Sequence, residues 1–235
     1  MKSTLYKEAF KRTLPVLSGY IVLGMGYGIL MAKNNFGLVW TLSYGLLTYA
    51  GSMQFVAINL MKSSAHLLTV FITTLMVNLR HFLYGLSMVD HYKDAGKYKP
   101  YLIFGLTDET YSLVVTWDSP EGVDPYKFAF VMTLFNQIYW VTGGIIGAIL
   151  GSALTFNTAG IDFAMTALFI TVAVEQWCAT KNHLPALLGL LGTVICLALF
   201  GGSQFLIPAM VLMVSALTLL RPYVDSKDEE GEQHA

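Results

Sequence analysis

The chain has 235 residues, of which 55% are hydrophobic and 12% charged, with a net charge of -1. A soluble domain carries roughly 25% charged residues, so too few polar side chains remain to wet a surface, and a near-neutral chain offers no basic footprint for nucleic acid. Leu38 to Met61, Phe128 to Ile161 and Leu184 to Leu220 hold no Asp, Glu, Lys or Arg at all.

The N-terminus carries Lys2, Lys7, Lys11 and Arg12 ahead of the first apolar run. A secretory signal starts this way, but no small-residue cleavage site follows a short apolar core, so the run reads as a retained helix with residues 1–13 on the cytoplasmic side. Hydropathy, with Gly and Pro as punctuation, then predicts eight apolar segments: 14–32, 38–61, 66–89, 101–117, 127–151, 161–180, 184–200 and 203–220. The last charge-free run is too long for one span, and Gly201-Gly202 is the natural turn. The expected fold is an all-α polytopic membrane bundle of about 6–8 transmembrane helices, with a transport domain over 14–220 and a flexible cytoplasmic tail over 221–235. Cys178 and Cys196 lie in apolar segments and read as packed side chains rather than as a disulfide or metal pair.

Charge placement sets up a choice of topology. If every segment crosses, Lys93, Lys97 and Lys99 face outside while Asp118, Glu121 and Asp124 face inside, against the positive-inside rule. If segments two and six are re-entrant or broken, the lysines fall inside and the acids outside. A short echo supports the second drawing: Gly24-Met25-Gly26-Tyr27-Gly28-Ile29-Leu30 resembles Gly143-Gly144-Ile145-Ile146-Gly147-Ala148-Ile149-Leu150. Two repeats, 14–117 and 127–220, each crossing three times, are then inverted, a common transporter architecture. The competing reading of the glycines is close helix packing.

Several polar residues stand where lipid would surround them. Arg80 and His81 interrupt segment three within Val77-Asn78-Leu79-Arg80-His81-Phe82-Leu83-Tyr84-Gly85, and Asp108-Glu109 interrupt segment four. An arginine at the bilayer centre costs about 2.5–3.5 kcal/mol, so it faces the interior and pairs with an acid. Adjacent residues on a helix point about 100° apart, so only one of Asp108 and Glu109 can take that partner while the other lines a cavity. A pair that merely fixes helix register is the plain alternative. His81 beside these acids is a candidate proton relay. Glu175 stands without a basic neighbour in segment six and reads as a proton- or cation-binding position. Ala50-Gly51-Ser52-Met53-Gln54 is a point where a helix can unwind and offer amides to a carboxylate, or a small-residue packing face. Asn136 and Gln137 read the same way more weakly, and Trp40, Trp117, Trp140 and Tyr101 are expected to anchor at the interfaces.

No Walker loop, dinucleotide glycine fingerprint, zinc-binding His-Glu-x-x-His or Gly-x-Ser-x-Gly turn is present, which argues against an enzyme or a self-powered ATP pump and implies no cofactor. Ala50-Gly51-Ser52-Met53-Gln54-Phe55, Asn78-Leu79-Arg80-His81-Phe82-Leu83-Tyr84-Gly85 and Thr107-Asp108-Glu109, behind a basic N-terminal helix and a glycine-rich span, resemble the bacterial AzlC-like family of branched-chain amino-acid permeases from about Ala9 to Leu220. The resemblance implies export of hydrophobic amino acids such as valine across the cytoplasmic membrane, together with a small AzlD-like membrane protein. Nothing in the sequence excludes assembly of several copies. The substrate-binding candidates are therefore Gly51, Ser52, Gln54, Asn78, Arg80 and Glu175, with His81, Asp108 and Glu109 for proton coupling or ion pairing. Either Arg80 or the amides near Gly51 serve the substrate carboxylate, and the competing function classes are a channel and a non-transporting scaffold.

Overall fold

A computed structural model describes residues 2–116, 119–153, 182–201 and 205–220, with isolated positions between 163 and 178. The described residues are helical apart from turns and loops: α1 (Lys2–Lys33), α2 (Leu38–Leu47), α3 (Gly51–Lys62), α4 (Leu67–Val77), α5 (Leu79–Ser87), a 3-10 turn at Gly96–Tyr98, α6 (Lys99–Phe104), α7 (Asp108–Val114), α8 (Pro125–Ala153), α9 (Leu184–Phe200) and α10 (Leu206–Leu219). Met1–Met165 and Thr166–Ala235 are separate compact units.

In the first unit α1 and α8 are each long and apolar enough to cross a membrane, and α4 with α5, bent by 44° at Asn78, meets the same test when the two are taken together. Residues 2–13, expected to precede the membrane helix, continue it as regular helix with Leu5, Ala9 and Thr13 buried. Glycine explains why α1 and α8 lie so close. A Cβ on Gly24 would sit 2.7 Å from the Trp140 carbonyl oxygen, one on Gly143 2.7 Å from that of Ile21, and one on Gly28 or Gly147 would run into the backbone of Gly144 or Met25. Small residues every fourth position let two backbones touch where apolar burial cannot drive association, because lipid is as apolar as the helices. The glycine echo is thus a mutual packing face.

Contacts along this pair run in step: Thr13 meets Tyr139, Tyr20 meets Trp140, and Ile29 meets Gly151. The two helices are therefore parallel. Elements matched by an inverted repeat run antiparallel, so segments one and five do not form the inverted pair that repeats 14–117 and 127–220 require.

The apolar runs between these spans are hairpins. α2 descends beside α8, with Thr41 against Gly144 and the Leu46 carbonyl accepting from Gln137. The chain breaks at Tyr49, a left-handed residue (φ 32°), and α3 climbs back, with Gly51 on the Trp140 ring and Phe55 against Tyr27. Segment two is thus two short helices folded back on each other at Tyr49. Segment four is the surprise. α6 rises with Tyr98 against Phe130 and ends at Gly105, seated on Thr133; α7 starts after Thr107 with Thr110 bonded to Asn136, and Val114 ends near Phe128. This run also turns back, from the opposite end.

That return corrects the loop placement. Leu5 and Ala9 share one apolar cluster with Met88, Tyr92 and Ala95 after α5 and with Phe128 and Ala129 at the start of α8. The lysine loop and the loop holding Glu121 and Asp124 thus lie at the same end as the basic N-terminus. Each hairpin follows a span running in the opposite sense, α2–α3 after α1 and α6–α7 after α4–α5.

In the second unit α9 ends at Gly201 (φ 72°), a conformation that favours glycine, and α10 folds back so that Gly189 and Gly192 meet Met213 and Leu212. Glu175, Trp117 and residues 221–235 lie outside the described residues.

Candidate functional site

Three helix breaks meet at one depth: Thr48-Tyr49-Ala50 at the tip of α2–α3, Asn78 between α4 and α5, and Gly105-Leu106-Thr107 at the tip of α6–α7. The hairpin tips touch, with the rings of Tyr49 and Phe104 6.2 Å apart. Each break exists for a local reason. Tyr49 takes a left-handed turn and Ala50 is non-helical (φ -136°), Asn78 serves both as C-cap of α4 and N-cap of α5, and the Thr107 hydroxyl accepts from the Thr110 amide to start α7.

Arg80 links all three breaks. One guanidinium nitrogen lies 2.8 Å from Asp108 Oδ2 and another donates to Ser52 Oγ at 2.7 Å. The third donor, Nε–H, is buried without a hydrogen-bond partner, and so is the Asn78 Oδ1 acceptor. The ion pair is partly open, at 29% and 25% side-chain exposure, so it is neither sealed nor freely solvated. His81 lies beside it, edge-on to Tyr84, and Tyr84 stacks on Tyr111 with centroids 4.4 Å apart. Asp108, not Glu109, is the partner of Arg80, as their 100° separation allows.

Glu109 turns to α1. Its Oε2 accepts from the Tyr20 hydroxyl at 2.7 Å, and that hydroxyl lies 2.7 Å from Thr107 Oγ1. Thr107 is 3.0 Å from Thr110 Oγ1, which accepts from Asn136 of α8 at 3.0 Å. Gln54 is committed within the protein: its amide donates to the Tyr44 carbonyl and accepts from Trp140 Nε1 at 2.7 Å. Trp140, expected at an interface, is 3% exposed because this bond and the Tyr20 and Tyr27 rings enclose it. Tyr101, also expected as an anchor, donates to Gln137.

Ser52, Asn78, Arg80, His81 and Asp108 thus come together, with Gly51 at the first turn of α3 on the Trp140 ring, Gln54 beneath the α2–α3 tip and Glu109 one helical step away. Tyr20 escaped the sequence reading, since a tyrosine in an apolar helix does not announce a partner 89 residues away.

Helices long and apolar enough to cross a membrane, with short hairpins packed between them around a polar junction, mark a multi-pass helical protein of the cell membrane. The AzlC protein family model matches residues 15–154. Over 216 residues the chain is 46% identical to the branched-chain amino acid transport protein AzlC of Bacillus subtilis (strain 168), covering 92% of this chain and 85% of the relative. It is 42% identical over 220 residues to an uncharacterized membrane protein of Helicobacter pylori (strain ATCC 700392 / 26695), covering 94% and 96%, and 26% identical to the inner membrane protein YgaZ of Escherichia coli (strain K12), covering 89% and 86%. This chain belongs to the AzlC family. No solved structure matches it.

Proposed function

We propose that this protein is a secondary transporter that exports branched-chain and other hydrophobic amino acids, such as L-valine, across the bacterial cytoplasmic membrane, coupled to protons and working with a small AzlD-like membrane protein. The observation that carries this reading is the Arg80–Asp108 pair at the hairpin tips. A zwitterion presents a carboxylate and an ammonium a few ångströms apart, the same charges in reverse. It can insert into the pair, its carboxylate on Arg80 and its ammonium on Asp108, with no net charge added to the membrane interior. The unfilled Nε–H of Arg80 suits the carboxylate, and the unfilled Asn78 oxygen suits the ammonium. The name of the Bacillus subtilis relative supports the substrate class.

Access alternates because the hairpins enter from opposite ends. Opening α2–α3 admits one side, opening α6–α7 the other, and the ion pair holds both tips shut when no substrate is present. Glu109, close to the pair yet not part of it, carries the proton, with His81 beside the pair. Glu175 is proposed as a further proton- or substrate-binding acid in segment six.

The test is efflux of preloaded labelled valine from cells expressing the chain with its small partner, at matched membrane abundance. Efflux above empty cells, sensitive to an uncoupler and lost in Arg80→Gln and Asp108→Asn, is expected. Wild-type efflux equal to that of empty cells removes the substrate assignment, and Glu109→Gln compared with Glu175→Gln shows which acid carries the proton.

A further inference from the structure

Arg80 and Tyr84 lie four residues apart on α5, and Asp108 and Tyr111 three apart on α7. At about 100° per residue, Tyr84 sits about 40° from Arg80 around its helix and Tyr111 about 60° from Asp108. Each ring therefore shares the face of its charged neighbour, about one turn further along. The two faces meet twice, in register. Arg80 pairs with Asp108 at 2.8 Å, and one turn on, Tyr84 stacks on Tyr111 with centroids 4.4 Å apart and planes 11° from parallel. The Tyr84 hydroxyl faces Asp108, so ring pair and ion pair are contiguous. Both rings are half-buried, and beyond them the exposed Ser87 places its Oγ 3.2 Å from the Tyr111 hydroxyl.

We propose that Tyr84 and Tyr111 form the subsite for the substrate side chain, in which an aliphatic group replaces the contact between the two rings while its zwitterion replaces the contact between Arg80 and Asp108; this rests on the amino-acid reading above.

The other directions out of the ion pair are polar or already taken. Ser52 is bonded to Arg80, and Glu109 is turned to Tyr20 of α1. Tyr49 is aromatic, but its hydroxyl engages Tyr20 and Thr110 on that same side of the junction. Toward the end that holds the basic N-terminus, α5 and α7 offer two tyrosine rings instead. A valine or leucine side chain extends about 2.5–4 Å from its Cα, and one helical turn rises about 5.4 Å. An amino acid whose charges sit on Arg80 and Asp108 thus ends its side chain against the rings.

Selectivity follows from what the closed state must give up. His81 braces Tyr84 edge-on, so that ring stays with α5, whereas Tyr111 belongs to α7 and parts from it when the α6–α7 hairpin opens. Separating a stacked aromatic pair is unfavourable unless something apolar covers the freed faces. Glycine and alanine bring both charges but leave the rings bare. Valine and leucine replace both contacts at once.

Competition against labelled valine bound to the purified full chain in lipid tests the subsite, with valine, alanine and phenylalanine as competitors. The wild type should favour valine over alanine by about tenfold, the worth of two buried CH₂ groups. In Tyr84→Ala and in Tyr111→Ala that preference should fall to about threefold or less. Phenylalanine should meanwhile gain on valine by about two- to tenfold, because its own ring takes the place of the one removed. Such a gain is not produced by loss of stability, and Tyr84→Phe and Tyr111→Phe, which keep the rings, should retain the wild-type preferences. If one alanine variant does not fold, the other reads the same ratios. Valine binding with ratios unchanged in the alanine variants overturns the subsite and leaves the transport reading standing, as does selectivity lost equally in the phenylalanine variants. No valine binding to the wild type overturns both.

Discussion

Replacing Gly28 with alanine tests the α1–α8 seam on which the site is built. The new methyl would meet the Gly144 carbonyl and the Ala148 amide, which are backbone atoms of α8 and cannot rotate away. At Gly24 the same change places Cβ 2.7 Å from the Trp140 oxygen; against an ordinary contact near 3.5 Å, the helices must part by roughly 0.8 Å there. Overpacking of this kind costs about 1–3 kcal/mol, offset by about 0.5–1 kcal/mol because alanine loses less backbone entropy than glycine. Gly28→Ala should therefore destabilise by about 1–2 kcal/mol. Gly19, on the same helix with nothing within 4 Å of its added Cβ, should gain from the same exchange. Thermal unfolding of the detergent-solubilised full chain reads the contrast as a fall of several degrees for Gly28→Ala and none for Gly19→Ala. Equal stability of the two variants would refute the close parallel seam.

Three further outcomes follow from the same geometry. Arg80→Gln and Asp108→Asn should each destabilise the protein, with the double variant less affected than their sum; a double-mutant cycle on thermal unfolding should return a coupling of about 0.5–3 kcal/mol, and strict additivity would mean the pair does not hold the tips. Gln54→Leu strands the Trp140 indole N–H in a buried place, at a cost of about 1–3 kcal/mol, visible as lowered stability and as altered emission from that tryptophan. In a background with Cys178 and Cys196 replaced by serine, single cysteines at Lys97 and Asp124 should react with an impermeant thiol reagent from the same side of the membrane, and cysteines at Asn35 and Ser64 from the other. Labelling of Lys97 and Asp124 positions from opposite sides would restore a full crossing for segment four.

Hydropathy in the sequence was enough to place α1, α8 and the last two helices, since a span announces itself by length and lack of charge. It failed at segment four because a window over 101–117 averages two half-helices and a polar tip into something resembling one interrupted span. The signal lay in Gly105-Leu106-Thr107, a small residue and a capping threonine just before two acids, which starts a helix instead of continuing one. Segment four offered Arg80 two adjacent acids, of which helical geometry allows one, and the structure chooses Asp108. The glycine echo was legible as either repeat or packing, and the backbone contacts decide for packing. Gln54 and Trp140 had to be seen together to be understood, because each uses up the other's polar atom across 86 residues.

Replacement of the Arg80–Asp108 contact by a zwitterion is tested most directly by competition against labelled valine bound to the purified full chain. The account predicts displacement by unlabelled valine and leucine, little by isobutylamine or isovalerate, each of which offers one charge of the two, and loss of binding in both Arg80→Gln and Asp108→Asn. Equal displacement by the single-charge analogues, or wild-type affinity in either variant, would contradict it.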